Sequence, residues 1–314
     1  IYMSIKVISG HSVFNENAVV LSQKNKWTLE KDFNPQANDL YIVFGAHELS
    51  HQLLEIQYRK NNSFGYVILN SEQIHSQFFK NKYYIKLMKN NVVCDYNTLT
   101  CDYLRQNFEI KVFSYYHFEF MKFDEEPQRI YDVCFIGSKN QHREETLNKL
   151  QDQLPNLKFY IDLDWKHGSS ESLTKILSQS KVVLNMPFYE DNALETHRIN
   201  KALACGCQVV STFSKDKDAD DFYKDYVYFA DDLYNGIMSQ QESQTPKKSY
   251  EELVKSLNQK VSPHFLFVID QVHKKLISLS NANDVLPQNT IIQESTPANS
   301  DEESSQNTSD EVGK

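Results

Sequence analysis

Two oppositely charged side chains, Glu195 and Arg198, stand three positions apart in a segment with a helical pattern. Helical side chains at this spacing are neighbours, so the two can contact each other. A guanidinium offers a planar fork that suits phosphate oxygens, and a carboxylate accepts hydrogen bonds from sugar hydroxyls. Two interpretations therefore stand side by side: an ion pair within one helix, or the polar wall of a ligand pocket.

The sequence around this pair predicts the elements that must position it. A short apolar run at residues 182–184 is typical of a buried strand, and a helical pattern follows at residues 193–204. Gly206 stands where a helix C-terminus favours a residue with positive φ, and residues 209–210 begin the next strand. A strand, a helix and a strand in this order form a βαβ unit, which belongs to a parallel sheet.

Parallel sheets bind ligands beyond the carboxyl ends of their strands, where loops meet helix N-termini. In this unit that place is the loop at residues 185–192, which begins with Asn185, together with the first helical turn. Glu195 precedes Ile199 by four positions and Ala202 by seven, which puts it on the buried side of the predicted helix. This loop and this turn are the first place to look for a binding site.

A second candidate site for an anion follows the apolar strand predicted at residues 131–136. Gly137, Ser138 and Lys139 form a turn before the next helical pattern. Free backbone N–H groups and the helix dipole favour an anion there, and Lys139 adds positive charge. A single glycine does not make a phosphate-loop motif. This turn is a candidate because it lies in the same predicted sheet as Arg198.

Two loops in the first half of the chain carry side chains that can exchange protons. His47 and Glu48 follow one predicted strand, and Ser71 and Glu72 follow the next. An imidazole or a carboxylate can act as a general base, so His47, Glu48 and Glu72 are the candidate catalytic residues. The alternative is a plain connection with His47 in solvent. Ser71 is a candidate N-cap before a helix predicted at residues 74–88.

Composition excludes several classes of protein. The 314 residues are enough for two domains, and the net charge of -9 disfavours nonspecific nucleic-acid binding, which needs a basic surface. No apolar run reaches membrane-spanning length, and the N-terminal sequence lacks a signal-peptide pattern. The five cysteines include no C-x-x-C pair, and free thiols suit a reducing compartment. We therefore expect a cytoplasmic protein without a transmembrane segment.

Strand-like and helical patterns alternate along the chain, which indicates open, doubly wound α/β sheets. We expect a first domain, a polar linker, a second domain, a C-terminal helical segment, and an acidic tail too poor in apolar residues to fold. In that order, these parts cover residues 1–120, 121–130, 131–248, 249–280 and 281–314.

The segment ALETHRINKALACGCQVVST, residues 193–212, resembles the nucleotide-sugar-binding region of GT-B glycosyltransferases, in their group 1 and CgeB-like branches. Arg198 stands where the CgeB-like members have an arginine, and Gly206 matches the glycine of their "ALA-x-G-x-x-VV" turn. Many group 1 enzymes place a ribose-binding glutamate five residues before that glycine, and here the position is Lys201. Either Glu195 takes over the ribose, or nucleotide binding is altered.

The resemblance implies two Rossmann-like domains that face each other across a cleft, with a C-terminal helix that crosses back. It implies metal-independent transfer of a sugar from a nucleoside-diphosphate sugar to a hydroxyl of a carbohydrate or glycoconjugate acceptor, without a resident cofactor. The residues that would bind the donor are Gly137, Ser138, Lys139, Asn185, Glu195, Arg198 and Lys201. The alternative is a catalytically silent protein of the same fold, which binds a nucleotide sugar or another protein.

Asp162 and Asp164 form a D-x-D triplet at the end of a predicted strand. In glycosyltransferases of a different fold, GT-A, such a triplet holds a divalent cation and the donor diphosphate. D-x-D triplets also occur by chance, and the order of strands and helices here favours the metal-independent GT-B arrangement. We interpret both aspartates as loop residues and expect no metal site.

Overall fold

A computed structural model describes residues 4–31, 33–36, 39–60, 63–113, 116–124, 128–164, 166, 170–189, 193–243 and 247–283. Two parallel sheets organise these residues, one from each half of the chain. Helices alternate with the strands along most of both halves. Within the described ranges, no helix is long and apolar enough to cross a membrane.

The first sheet has six parallel strands in the order β2-β1-β3-β4-β5-β6. Its strands are β1 (Ile5–Ser9), β2 (Thr28–Leu29), β3 (Leu40–Phe44), β4 (Gly65–Asn70), β5 (Val92–Asp95) and β6 (Val112–Phe113). Its helices are α1 (Asn15–Asn25), α2 (Ala46–Arg59), α3 (Lys82–Asn90) and α4 (Thr98–Phe108), with 3-10 turns at Ser12–Phe14 and Gln77–Lys80. All five residues of β3 are buried, because helices cover both faces of a parallel sheet.

The second sheet has five parallel strands in the order β11-β10-β9-β7-β8. Its strands are β7 (Tyr131–Ile136), β8 (Phe159–Asp162), β9 (Ser180–Asn185), β10 (Gln208–Thr212) and β11 (Tyr228–Ala230). Its helices are α5 (Gln141–Gln153), α6 (Ser170–Ser178), α7 (Thr196–Ala204), α8 (Lys217–Tyr223) and α9 (Leu233–Glu242). Gly206 has a φ of +70° after α7, so the expected left-handed residue at this helix end is confirmed.

Two C-terminal helices connect the domains: α10 (Tyr250–Lys260) and α11 (Ser262–Asn283). Helix α10 packs against α7 of the second domain, and α11 packs against β4 of the first. Gly65 in β4 lies so close to Leu276 that a Cβ on the glycine would stand 2.9 Å from its Cδ1. The predicted fold class, two Rossmann-like domains with a C-terminal helix that crosses back, is confirmed. The tail is predicted to start at residue 281, whereas α11 continues to Asn283; residues 284–314 lie outside the described residues.

The structure corrects the prediction of one helix over residues 74–88. A 3-10 turn capped by Ser76 occupies Gln77–Lys80, and Asn81 caps a separate helix, α3. Ser71 therefore caps no helix here. Helices α1 and α9 and the short strand β2 were not predicted. Helix α1 has a weak apolar pattern because its buried face is largely polar, with Glu16, Asn17, Ala18 and Ser22 buried.

Candidate active site

A cavity of about 640 Å³ lies between the two sheets and is lined by residues of both. In the first sheet the strand order reverses between β1 and β3. The loop after β1 contributes His11 to the cavity, and the first turn of α2, which follows β3, contributes His47, so the prediction of His47 in a loop is wrong. In the second sheet the order reverses between β7 and β9, and Ser138 after β7 lines the opposite wall. Doubly wound sheets bind ligands at such reversal points, so two binding edges face each other across one cavity.

Arg198 projects from α7 into this cavity and is held by the carboxyl ends of two strands. Its Nε donates to the carbonyl of Ile136 at 3.3 Å, and its Nη1 donates to Asn185 Oδ1 at 3.2 Å. The guanidinium also stacks 5.1 Å above the ring of Phe135. Its Nη2 makes no hydrogen bond within the described part of the chain. One edge of a fixed guanidinium is therefore left for a ligand.

Gly137 allows this arginine to approach the strand end. A Cβ at residue 137 would stand 2.9 Å from Arg198 Nη2 and 3.1 Å from Arg143 Nη1. Ser138 lines the cavity beside it, whereas the Lys139 side chain is 55% exposed and pairs with Glu144 at 2.7 Å. The turn thus brings Ser138 to the cavity and directs Lys139 along α5. Gly137, Lys139 and Asn185 are not among the lining residues found in the described chain, and Asn185 instead holds Arg198.

Glu195 joins two guanidinium groups. Its Oε1 accepts from Arg143 Nη2 at 2.9 Å and from the backbone N–H of Phe188 at 3.0 Å, and its Oε2 pairs with Arg198. Two guanidinium groups thus share one carboxylate, which leaves this corner with a net positive charge. Burial and the neighbouring Arg198 lower the pKa of Arg143 to about 10, so it stays charged at neutral pH. The predicted contact between Glu195 and Arg198 is confirmed, and this ion pair lies at the cavity wall.

Glu195 is not inside α7 but at the N-cap position before it, so the expected place on the buried arc of the helix is wrong. Its position directs the carboxylate toward α5 instead. Arg143, in the first turn of α5, is only 2% exposed and also donates to the carbonyls of Ser138 and Met186, at 3.0 and 2.6 Å. It therefore fastens the loop after β7 to the loop after β9.

Lys201 also lines the cavity, but its ammonium faces the first domain. Its Nζ lies 2.5 Å from Glu16 Oε2, and both residues are buried. The position where the resemblance expects a ribose-binding carboxylate is thus occupied by a cation with its own partner.

On the first-domain wall, His47 and Glu72 line the cavity side by side. His47 Nε2 lies 3.4 Å from Glu72 Oε1, and its Nδ1 is buried without a hydrogen-bond partner in the described chain. Burial lowers the pKa of His47 to about 4 and raises the pKa of Glu72. His47 is therefore buried and neutral at pH 7, not solvated. Glu48 is 44% exposed and does not line the cavity within the described chain.

Sequence reasoning missed two histidines that line the same cavity, His11 and His197. His11 comes directly after Gly10 at the end of β1, and His47 comes two positions after Gly45 at the end of β3, so this parallel could have identified His11. His197 packs among the rings of Phe14, Phe118 and Phe120, with centroids 4.8–5.4 Å away. Burial lowers its pKa to about 3, so it too is neutral. Aromatic partners from distant segments leave no signal in the sequence around residue 197.

Asp162 is the buried last residue of β8, so its interpretation as a loop residue is wrong, whereas Asp164 follows the strand. The Asp162 carboxylate accepts from the backbone N–H groups of Asp164 and Lys166, at 3.0 and 2.9 Å. Asp164 is 65% exposed. In the described ranges no group of three or more histidine, cysteine, aspartate or glutamate side chains is placed to hold a metal ion.

No protein-family model matches the chain, and no curated protein sequence is similar to it. Among solved structures it is similar to Anabaena Alr3699/HepE in complex with UDP-glucose, with 11% identity, a TM-score of 0.49, and coverage of 88% of this chain and 99% of that one. A second is α,α-trehalose 6-phosphate synthase from Burkholderia multivorans, with 9% identity, a TM-score of 0.44 and coverage of 82% and 74%. A third is AviGT4, a glycosyltransferase involved in avilamycin A biosynthesis, with 8% identity, a TM-score of 0.41 and coverage of 87% and 98%.

Proposed function

We propose that this protein is a glycosyltransferase of the GT-B type that transfers a sugar from a nucleoside-diphosphate sugar to a hydroxyl group. The observation that carries the proposal is the fixed guanidinium of Arg198, with Nη2 unpartnered in the described chain, at the strand-order reversal of the second sheet. The sequence resemblance around residues 193–212 supports the same placement of the donor.

The charge at this corner suits a diphosphate. Arg143 and Arg198 share the single carboxylate of Glu195, so the corner keeps an excess positive charge. When a glycosyl bond to a diphosphate breaks, negative charge develops on the leaving oxygen, and fixed donors aimed at that oxygen lower the barrier. Arg198 would serve this purpose in place of a divalent cation, which is why we propose a metal-independent reaction.

The size of the cavity fits a nucleotide sugar. Its volume of about 640 Å³ lies within the roughly 300–1,000 Å³ typical of small-molecule sites. The lining includes the apolar residues Ile136, Leu173, Leu177 and Val183 as well as charged and polar ones such as Arg198 and His47. The same cavity can therefore cover apolar parts of a ligand and bind its charge.

His47 and Glu72, on the first-domain side of the cavity, would activate the acceptor hydroxyl. If the reaction inverts the sugar configuration, a base must take the proton of the attacking hydroxyl. A neutral His47 can accept that proton, and the carboxylate of Glu72, 3.4 Å from Nε2, would stabilise the imidazolium that forms. A retaining transfer needs no base of this kind. We propose a carbohydrate or glycoconjugate as the acceptor.

The proposal is tested by titrating the protein with UDP, GDP, ADP and dTDP in a calorimeter, with EDTA present. At least one of these nucleotides should bind, and the matching nucleotide sugar should lose its sugar to an acceptor or slowly to water. Arg59→Ala, at an exposed arginine of α2, is a matched control that should leave binding unchanged. Absence of binding by all four nucleotides would refute the proposal.

A second candidate is a catalytically silent protein that binds a nucleotide sugar. The position of Lys201 favours it, because the ammonium pairs with Glu16 where the resemblance expects a ribose-binding glutamate. Glu195, the other candidate for the ribose, is already bound to two arginines. Nucleotide-sugar binding without turnover, over hours and with varied acceptors, would select this candidate.

A further inference from the structure

We propose that the buried ion pair between Lys201 and Glu16 positions α7 against the first domain and thereby sets the distance across the cavity. Both are positioning residues, since they would act on the reaction through Arg198. The catalytic part of this inference rests on the proposed function, whereas the structural part does not.

The Glu16 carboxylate connects its own helix to three other segments of the chain. Its Oε2 pairs with Lys201 Nζ of α7 at 2.5 Å and accepts from Ser170 Oγ of α6 at 2.6 Å. Its Oε1 accepts from the backbone N–H of Met121, in the segment that joins the two sheets, at 3.0 Å. Glu16 itself belongs to α1 of the first domain. One side chain of the first domain thus bonds to the second domain and to the connection between them.

Lys201 belongs to a whole face of α7 that is bound to the first domain and the connection. Its members are spaced as one helical face, at positions 197, 200, 201 and 204. His197 Nε2 lies 3.2 Å from Asn17 Oδ1, and Asn200 Nδ2 donates to the carbonyl of Phe118 at 2.7 Å. At the end of the helix, the carbonyl of Ala204 accepts from the N–H of Phe123 at 2.9 Å. Arg198 stands on the adjacent side and reaches the cavity.

Energetics favour a positioning role over a stabilising one. Lys201 is 3% and Glu16 6% exposed, and removing two charges from water costs about as much as their attraction returns. Buried pairs of this kind can often be replaced by neutral groups without loss of stability. A neutral replacement would fix the geometry less tightly. The charged pair, with the two further hydrogen bonds of Glu16, holds α1 and α7 in one relative position.

The double variant Glu16→Gln/Lys201→Met separates the two roles. Glutamine keeps an acceptor for the N–H of Met121, and methionine keeps much of the volume of lysine, so no buried charge is left unpaired. We expect a Tm close to that of the wild type. Lys201→Met alone should lower the Tm, because it leaves the Glu16 carboxylate buried without its cation.

Positioning is measured first without any ligand, from the distance between nitroxide labels on Lys86→Cys in the first domain and Lys149→Cys in the second. Both sites are exposed, and all five native cysteines are buried. The wild-type background should give one narrow distance distribution, and the double variant should give a broader or shifted one. The exposed pair Lys122 and Glu251 provides the matched control, Lys122→Met/Glu251→Gln, which should leave the distribution unchanged.

The second readout is kinetic. The double variant removes one positive and one negative charge that are paired with each other, and Arg198 keeps its bonds to Ile136 and Asn185, so nucleoside diphosphate should bind within threefold of the wild type. Its kcat for transfer should fall about tenfold or more, since a misplacement of 1 Å across the reacting groups can cost as much. An unchanged distance distribution in the double variant would overturn the inference. A wild-type protein that binds no nucleotide would refute the proposed function and leave the distance result to decide the positioning role.

Discussion

A methyl group added at Gly137 should disturb the proposed diphosphate site while leaving the fold intact. The new Cβ would stand 2.9 Å from Arg198 Nη2, 3.1 Å from Arg143 Nη1 and 3.1 Å from Phe135 Cζ. Arg143 is fully enclosed and bonded on both Nη atoms, so Arg198 is the group that must move. The backbone at residue 137 is not in the left-handed region, and alanine is compatible with it.

The size of the effect follows from how Arg198 is held. Its bonds to Ile136, Asn185 and Met186 are already 3.2–3.4 Å long, so a retreat of about 0.5 Å would carry at least one of them beyond hydrogen-bond range. The same retreat withdraws Nη2 from the position proposed for the diphosphate, and loss of one charged hydrogen bond to the ligand costs about 1.5–3 kcal/mol. Each 1.4 kcal/mol is about tenfold in affinity, so nucleoside-diphosphate binding should weaken about tenfold or more.

Calorimetric titration of Gly137→Ala with the nucleotide that binds the wild type most tightly measures this effect. Gly65→Ala is the matched control, because its Cβ would make an equally close contact, 2.9 Å from Leu276 Cδ1, far from the cavity. It should change the Tm more than the affinity. Equal affinity in Gly137→Ala and the wild type would show that Arg198 does not meet the ligand where we place it.

Two further predictions concern His197, which lines the cavity, and Asp162 at the end of β8. Because His197 has a pKa of about 3 in the folded state, below its ordinary 6.5, its stabilising contribution is present above pH 6.5 and is lost as the pH falls. Between pH 7 and pH 5 the wild type should therefore lose about 2 kcal/mol more unfolding free energy than His197→Gln, as measured by urea titration; equal losses would mean that His197 is charged or exposed. For the D-x-D triplet, EDTA should leave transfer unchanged and Asp162→Ala should lower the Tm, because this carboxylate caps its own loop. Activity lost to EDTA and restored by Mn²⁺ would instead assign Asp162 and Asp164 to a metal site.

Apolar runs in the sequence predict the strands closely, because strands buried on both faces are continuous in hydrophobic residues. Strand β7 was expected at residues 131–136 and spans Tyr131–Ile136. The contact between the two domains, in contrast, could not be predicted from the sequence. Helix α1 buries Glu16 and Asn17, which contact Lys201 and His197 of the second domain, so its sequence pattern looks like that of a solvent-exposed segment.

Contacts between residues that are far apart in the sequence also limit how much of the site can be predicted. Arg198 and Glu195 are three residues apart, and their contact was foreseen. Lys201 and Glu16 are separated by 185 positions, and Arg143 and Glu195 by 52, so no local spacing reveals either pair. The direction of Glu195 also depends on where α7 begins, and a shift of three residues in that boundary turned its carboxylate from the helix face to α5.

The most direct test of the account compares Arg198→Ala, Arg198→Lys and Glu195→Ala in nucleotide affinity and Tm. If Arg198 binds the diphosphate, Arg198→Ala should weaken binding by about 1.5–3 kcal/mol, and Arg198→Lys should recover only part, because an ammonium lacks the bidentate fork. If the pair with Glu195 is only structural, Arg198→Ala and Glu195→Ala should both lower the Tm modestly and leave the affinity untouched. Unchanged nucleotide affinity in Arg198→Ala would contradict the central claim, that this guanidinium is the donor-binding group of the cavity.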